Sequence, residues 1–400
     1  MSEIYQVYGM PASLYMAKVR SYMRKQRIPF VERAVSDPHY GEKIVPQLGR
    51  IIMPVLECAD GSLVQDGADI IDYFERQAAQ QDSSTRLPAY PSTGLQRVVS
   101  ELFSLFGGEG LMRPAMHYRW NFDDYNLDFL KADFGIALAP AGADRATRDA
   151  MFDMASARMR SAALSFGVNE ESMALVEASY AEFLQLFSDH LKISPYLLGG
   201  RPTIGDYGLI APLYAHLARD PYPAQQMRQT APEVSRWVER MNAPEQIVSG
   251  YGDDSQALFP SDSVPETLKA LLRYIAAEYL PEIEAHVDFA NQWLVAQPDL
   301  RTGTNGLKDP GRRFIGMAEF DWRGIRLKTA VMPYRFYLLQ RVQDCIEAAT
   351  NDEQRAIESL FAETGLSAIL ALKTSRRVER ENHLEVWGPE LSPRLTPWNQ

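Results

Sequence analysis

Residues 51–74, IIMPVLECADGSLVQDGADIIDYF, constrain the fold more than any other stretch of the chain. Two short, mostly apolar runs, Val55-Leu56 and Leu63-Val64, flank Asp60-Gly61. Asp-Gly is a strong tight-hairpin signal, because glycine adopts φ > 0 without steric penalty. Met53-Pro54 opens the first run, where a proline is tolerated because no ladder N–H is needed. After Asp66 the apolar period changes, and Ile70, Ile71, Tyr73 and Phe74 fall close to one face of a helix. An acid at a helix start complements the macrodipole, and the same carboxylate is able to meet a ligand's ammonium group. The stretch reads as strand, hairpin turn, strand, helix.

Upstream, residues 4–8 read as a strand that Gly9, Met10 and Pro11 interrupt. A helix is expected from near Ser13, with Tyr15, Val19, Tyr22 and Met23 at helical spacing and basic residues toward its C-terminal half. Pro29 starts a second strand, PFVERAV, and residues 39–47 read as a short irregular helix or loop. The resulting order, βαβ followed by ββα, is thioredoxin-like.

These residues resemble the glutathione-binding domain of glutathione transferases. The resemblance implies that Met53-Pro54 is cis, that Pro54 opens the third strand, and that Asp66 matches the acid that meets the γ-glutamyl end of glutathione. Gly67 departs from the family, which has serine there; the backbone N–H groups at the helix start still offer an anion site. YGMPASLYMAKVR, residues 8–20, is similar to the serine-type signature of the tau and phi classes, and Ser13 matches their catalytic serine. A free thiol, with a pKa of about 8.5, is only a few per cent ionised at neutral pH. A hydroxyl hydrogen bond at a positive helix end favours the thiolate. Serine is also a common N-cap, and one hydroxyl can serve both ends. Tyr8 is the alternative donor, since other transferase classes use a tyrosine at the end of the first strand; from its own residues it reads rather as a packed strand tyrosine. By the same resemblance Arg50 faces the glycyl carboxylate, with Met53 and Pro54 beside the ligand.

Residues 80–93 are polar, broken by Pro88 and Pro91, and read as a linker. Residues 94–242 are mainly helical. In the family the first long helical stretch of this half lines the electrophile pocket, which makes Met112, Met116, His117 and Trp120 the candidates; a Met and aromatic stripe also reads as plain core. Thr203-x-x-Asp206, after a Leu-Gly turn, is a capping box at the head of an apolar helix, and Asp206 is assigned to folding. The resemblance covers residues 4–242. Beyond a linker at 246–265, the chain reads as a helical stretch at 266–296 interrupted at Pro281, a polar loop at 301–312, a hairpin within 314–329, and a helix at 333–350. At least one more helix is expected in 354–380, ending in a basic cluster of Lys373, Arg376, Arg377 and Arg380 read as a solvated helix face. The expected architecture is an α/β thioredoxin-like domain at 1–80, an all-α domain at 93–245, and a mostly helical extension with one β-hairpin at 251–400.

A net charge of -11 argues against a broad nucleic-acid footprint. The two cysteines, Cys58 and Cys345, lie outside CxxC or zinc spacing, so neither a disulfide framework nor a metal is expected. The opening MSEIYQVYGM lacks a basic region and an apolar core, so no secretory signal is expected, and no apolar run is long enough for a bilayer. The cysteine usage fits a reducing, cytoplasmic setting, and the resemblance implies a homodimer that uses glutathione as co-substrate on a small hydrophobic electrophile, by substitution, addition or reductive cleavage. A second reading is a transferase-like binding or regulatory module, to which Gly67 and the long extension point. An omega-type disulfide reductase is disfavoured by serine at position 13.

Overall fold

Alternation in the first strand sorts its side chains onto two faces, as the pleat requires. Val7 joins Met16, Val19, Ile70, Ile71 and Phe74 on one side, while Tyr8 joins Tyr40, Ile44, Leu48 and Val55 on the other. The computed structural model of the chain describes residues 4–80, 86–252 and 255–391. Its first unit comprises β1 (Tyr5–Gly9), α1 (Leu14–Lys25), β2 (Phe30–Ala34), a π-helical turn (Tyr40–Ile44) leading into α2 (Val45–Leu48), β3 (Val55–Glu57), β4 (Leu63–Gln65) and α3 (Gly67–Gln80). The sheet order is β2-β1-β3-β4, with β1 parallel to β2 and antiparallel to β3, and β3 antiparallel to β4. This is the expected thioredoxin-like arrangement, and Met53-Pro54 is cis. Asp60 Oδ1 accepts from the Ser62 N–H and O–H, and Gly61 takes φ 80° in the β3–β4 turn.

The helical unit follows: α4 (Gly94–Leu105), a π-helical segment (Phe106–Gly110), α5 (Met112–Trp120), α6 (Asp123–Leu138), α7 (Arg145–Leu164), α8 (Met173–Leu191), α9 (Ile204–Ala215), α10 (Pro221–Thr230) and α11 (Pro232–Asn242). The linker expected at 80–93 falls partly on residues 81–85, outside the described residues. Helix α9 is the buried axis of this unit and starts at the Thr203–Asp206 capping box. It lies so close to α4 that a Cβ on Gly208 would sit 2.4 Å from Ser104 Cα.

The extension contains α12 (Glu266–Glu278), α13 (Leu280–Val295), β5 (Gly316–Trp322), β6 (Ile325–Val331), α14 (Pro333–Ala348), α15 (Asn351–Thr364), β7 (Arg376–Glu381) and β8 (Leu384–Glu390). Pro281 lies in the first turn of α13 and separates it from α12, where a missing N–H does no harm. Two expectations change. There are two hairpins, β5–β6 and β7–β8, and the basic cluster is not a solvated helix face. Arg376, Arg377 and Arg380 are on β7, because Val378, Val386 and Trp387 bury one side of the second hairpin while its charges find partners around it. The preceding segment is also tighter than a composition-defined linker. Gly200 N–H donates to Ala257 O at 2.8 Å and Phe259 N–H to Leu198 O at 2.8 Å. A Cβ on Gly200 would sit 1.8 Å from Ser255 O, so this strap needs glycine. One hydrophobic core runs through all three units, from Val7 and Phe74 through Phe103, Leu209 and Trp237 to Leu271, Phe336 and Trp387.

Candidate functional site

Ser13 caps α1 from extended backbone, φ -82° and ψ 127°, and its Oγ accepts from Met16 N–H at 3.4 Å. The side chain is half-buried, and its own O–H is donated to no group among the described residues. The turn in front of it is held from the helical unit. Buried Arg119 donates to Ala12 O at 2.8 Å and Ala215 O at 2.6 Å, and pairs with Asp220 through two bonds of 2.7 and 2.9 Å. Sequence reasoning passed over Arg119, because its partners lie about a hundred residues away in either direction.

Met112, Met116 and Trp120 on α5 pack with Met10, Ala12 and Leu14 on either side of Ser13, and Met53 leans on the same cluster. His117 is turned away from it. Its Nε2 meets Glu177 at 3.0 Å, its Nδ1 meets Asn121 at 2.9 Å, and its ring lies edge-on to Phe122. Burial lowers its pKa against the pull of Glu177. Tyr8 is buried, donates its O–H to Glu57 at 2.9 Å, and stacks on Tyr40 and His39. Burial, then the bond to Glu57, pushes its pKa up.

Asp66 has the left-handed φ of 93°, a backbone state that non-glycine side chains rarely adopt and that collects at binding sites. Its Oδ1 accepts from Ala68 N–H at 2.8 Å and from Tyr334 O–H at 3.1 Å, while Oδ2 lies 3.3 Å from Arg380 Nη2. Gly67 has room for a side chain, since a Cβ would meet Lys18 Cδ and Tyr15 O at 3.4 Å. Along the same edge of α3, Asp69 accepts from Tyr337 O–H at 2.6 Å, and Asp72 forms a two-bond pair with Arg341 at 2.7 and 3.0 Å. Burial and the neighbouring Asp66 charge push the Asp69 carboxyl up to about 6, with Arg380 opposing them. Residues 66, 69 and 72 therefore face 334, 337 and 341 at matching helical spacing.

Arg50 reaches into the second hairpin. Its Nη2 donates to His383 O at 2.7 Å, and both Nη atoms lie 3.4 Å from Glu385 Oε2. Arg380 Nη1 donates to Gln65 Oε1 at 2.8 Å and lies 3.4 Å from Glu385 Oε1. The residues expected to hold the two ends of glutathione, Arg50 and Asp66, are thus brought to one hairpin of the extension. The only sequence sign of this was the basic cluster at 373–380, read as a helix face.

From Tyr15 on α1 a buried ladder of alternating charge runs into the extension. Tyr15 O–H donates to Glu109 at 2.9 Å, Arg335 bridges Glu109 and Glu282 at 3.1 and 2.6 Å, and Arg113 bridges Glu282 and Glu278 at 2.6 and 3.3 Å. Burial pushes the Glu282 carboxyl up, but Arg335 and Arg113 outweigh it and hold the pKa at about 2. Solvent-accessible Arg313 has Tyr15, Glu385, Glu109 and Tyr334 as its main electrostatic neighbours. Among the described residues no group of three or more His, Cys, Asp or Glu side chains is arranged to hold a metal ion, and no helix is long and apolar enough to cross a membrane.

Residues 7–82 match the family model for the glutathione S-transferase N-terminal domain, and residues 148–245 match the model for the C-terminal domain. Among curated proteins none matches the chain. Solved structures similar to it include glutathione transferase GSTFuA3 from Phanerochaete chrysosporium, 14% identical over 62% of this chain and 99% of that one, with a TM-score of 0.44. The beta-etherase LigF from Sphingobium sp. strain SYK-6 is 15% identical over 61% and 96%, with a TM-score of 0.40. A glutathione S-transferase from Methylobacterium radiotolerans JCM 2831, in complex with glutathione sulfonate, is 18% identical over 66% and 100%, with a TM-score of 0.35. Both family models end by residue 245, so the extension that supplies Tyr334, Arg380 and Glu385 lies outside them. Two domain models matched in their proper order, on a β2-β1-β3-β4 sheet followed by helices, show that the chain belongs to the glutathione S-transferase superfamily.

Proposed function

We propose that the protein is a glutathione transferase in which Ser13 stabilises the glutathione thiolate for attack on a small hydrophobic electrophile. The observation that carries this reading is the half-buried Ser13 hydroxyl at the head of α1, its proton undonated among the described residues and its surroundings apolar. A hydroxyl donor and the positive end of a helix both favour the anionic sulfur, and the low-dielectric wall of Met10, Met53, Met112 and Met116 strengthens both. The sulfur then forms a bond to the electrophilic atom. In a substitution the leaving group departs with its electron pair; in an addition the neighbouring atom takes up a proton. Arg119 serves by fixing the turn that carries Ser13. Asp66 and Arg50 are the groups suited to the ammonium and carboxylate ends of the tripeptide, with the α3 N-terminus beside them.

The test is turnover of the full chain with millimolar glutathione and three electrophile types: an activated aryl halide, an α,β-unsaturated carbonyl and an aryl ether. Glutathione-dependent product above the uncatalysed rate is expected with at least one. A second reading, a transferase-like module without catalysis, is favoured by the pairing of Asp66 with Arg380 and of Arg50 with Glu385. No product, together with no retention on immobilised glutathione, would establish that alternative.

A further inference from the structure

The two charges suited to the ends of glutathione each have a partner within the chain, and both partners come from one hairpin. Arg380 places a cation at Asp66, 3.3 Å away, and Glu385 places an anion at Arg50, 3.4 Å away. Arg380 and Glu385 are directly opposite each other in the β7–β8 register. The hairpin thus presents the same signs to the same two residues as the ammonium and carboxylate of the tripeptide.

The ion pairs of this contact are all long. Charge-assisted hydrogen bonds are normally about 2.7–2.9 Å; elsewhere between the extension and the body Arg341–Asp72 and Arg113–Glu282 are 2.7 and 2.6 Å, alongside longer second pairs of the same arginines, Arg341–Glu101 at 3.4 Å and Arg113–Glu278 at 3.3 Å. At the hairpin the ion pairs of Arg380 with Asp66, Asp69 and Glu385 are 3.3, 3.6 and 3.4 Å. Arg380 Nε and Nη2, Arg50 Nε and Glu385 Oε1 are buried there without a hydrogen bond among the described residues. Buried donors and acceptors left unmet carry a desolvation penalty, so exchange for a better-fitting ligand is favoured at this spot.

The root of the hairpin is firmly held. Val378 exchanges two hydrogen bonds with the Gln340 side chain, at 2.9 and 2.7 Å, and Trp387 is 1% exposed in the core. The tip is a two-residue turn, Asn382-His383, with φ of 48° and 64°. Its contacts with the first unit are the loose pairs above and the single bonds Arg50–His383 and Arg380–Gln65.

We propose that Arg380 and Glu385 stand in for the two charged ends of glutathione, so that the tripeptide binds by displacing the tip of the β7–β8 hairpin and these two residues set its affinity. The proposal rests on the reading of Asp66 and Arg50 as glutathione-binding residues. Asp66 is buried, its Oδ1 is taken by Ala68 N–H and Tyr334 O–H, and its Oδ2 faces Arg380, so an ammonium group reaches this carboxylate only where Arg380 has left it, and docking of the tip and docking of the tripeptide exclude each other. The measured affinity is then the intrinsic one reduced by the fraction of molecules whose tip is free.

Calorimetric titration of the full chain with glutathione tests this, using wild type and the Arg380→Ala/Glu385→Ala double variant. The double variant is expected to bind about tenfold or more tightly than wild type, as removal of a competing state requires. In wild type, glutathione is expected to speed amide deuterium exchange across residues 379–385 and to leave 333–348 unchanged. Equal or weaker binding by a folded double variant overturns the proposal, because the two side chains then hold the tripeptide or ignore it. If the double variant does not fold, protection of 379–385 in wild type on adding glutathione overturns it equally. Failure of wild type and variant alike to bind millimolar glutathione removes the reading of Asp66 and Arg50, and this proposal with it.

Discussion

At the scale of single residues, the chemistry proposed for Ser13 separates turnover from binding. The hydroxyl acts on developing thiolate, whereas the tripeptide's ends are held elsewhere. Ser13→Ala is therefore expected to lower kcat by ~10²–10³, the usual loss for one preorganised donor, with little change in the glutathione dissociation constant. Tyr8→Phe is expected to leave kcat near wild type, since the Tyr8 proton goes to Glu57 at 2.9 Å. Steady-state kinetics on both variants check this; a collapse in Tyr8→Phe with Ser13→Ala unaffected would move the role to the tyrosine. The place of Ser13 at the head of α1 was legible because its surroundings are local: a strand end, a helix start and the Lys18-Val19-Arg20 run lie within a dozen residues. The partners of Arg50, Asp66 and Tyr15 were not legible. Glu385, Arg380 and Glu109 are set beside them by folding, and no spacing rule links positions 268–335 residues apart, as Tyr334–Asp66 and Arg50–Glu385 are.

At the scale of elements, the capping box on α9 does more than close one helix. The Asp206 carboxylate is fully buried and accepts from Thr203 N–H at 2.9 Å, Thr203 O–H at 3.1 Å, Leu197 N–H at 3.1 Å and Trp237 Nε1–H at 3.3 Å. An ordinary cap is worth ~0.5–2 kcal/mol, and each buried donor left unmet costs about 1–3 kcal/mol. Asp206→Ala is expected to exceed the cap range, at roughly 3 kcal/mol or more in urea denaturation. A second joint, between α8 and α12, is sensitive to acid. His190 Nε2–H donates to Leu197 O at 2.9 Å, which leaves Nδ1 to accept from Thr267 O–H at 2.9 Å. Burial holds the folded-state pKa of His190 down to about 4, against an ordinary 6.5. Between those values the unfolded chain binds the extra proton, so stability is lost as pH falls from 6.5 toward 4, by about 2 kcal/mol at pH 5. His190→Gln is expected to flatten this part of the pH–stability curve; an unchanged slope in urea melts at pH 7 and 5 would refute the assignment. The first extension hairpin was legible from Gly324, whose φ is 86°. The second was hidden because its turn is Asn-His and its strands are rich in Arg and Glu, residues that read as helix surface until their partners are known.

At the scale of the molecule, the question is whether residues beyond 242 form a removable module. Helix α14 lies along α4 and reaches α3 through side chains, with Tyr337 donating to Asp69 and Arg341 pairing with Asp72 and Glu101. The extension also completes the buried charge ladder: Arg113 of the helical unit depends on Glu278 and Glu282, and Glu109 depends on Arg335. Even α4 is capped from outside, since Glu353, which closes the box on α15, also accepts from Gly94 N–H at 2.6 Å. Truncation after Asn242 would uncover apolar surface at roughly 25 cal/mol per Å². It would also strip Asp66, Asp69 and Asp72 of Tyr334, Tyr337 and Arg341 together, leaving Asp69 without its donor, Asp66 with Ala68 N–H and Asp72 with Tyr90 O–H. Separating buried charge partners is strongly destabilising, at about 3–5 kcal/mol for one pair. With several lost at once, residues 1–242 are expected to melt roughly 10 °C or more below the full chain, to bind a hydrophobic dye, and to aggregate at concentrations where the full chain does not. Calorimetry, dye binding and size-exclusion chromatography on the two lengths decide the matter. A truncated chain that stays monodisperse, melts with the full-length protein and binds no dye would mean that the apolar and ionic contacts of the extension contribute nothing to the body it covers.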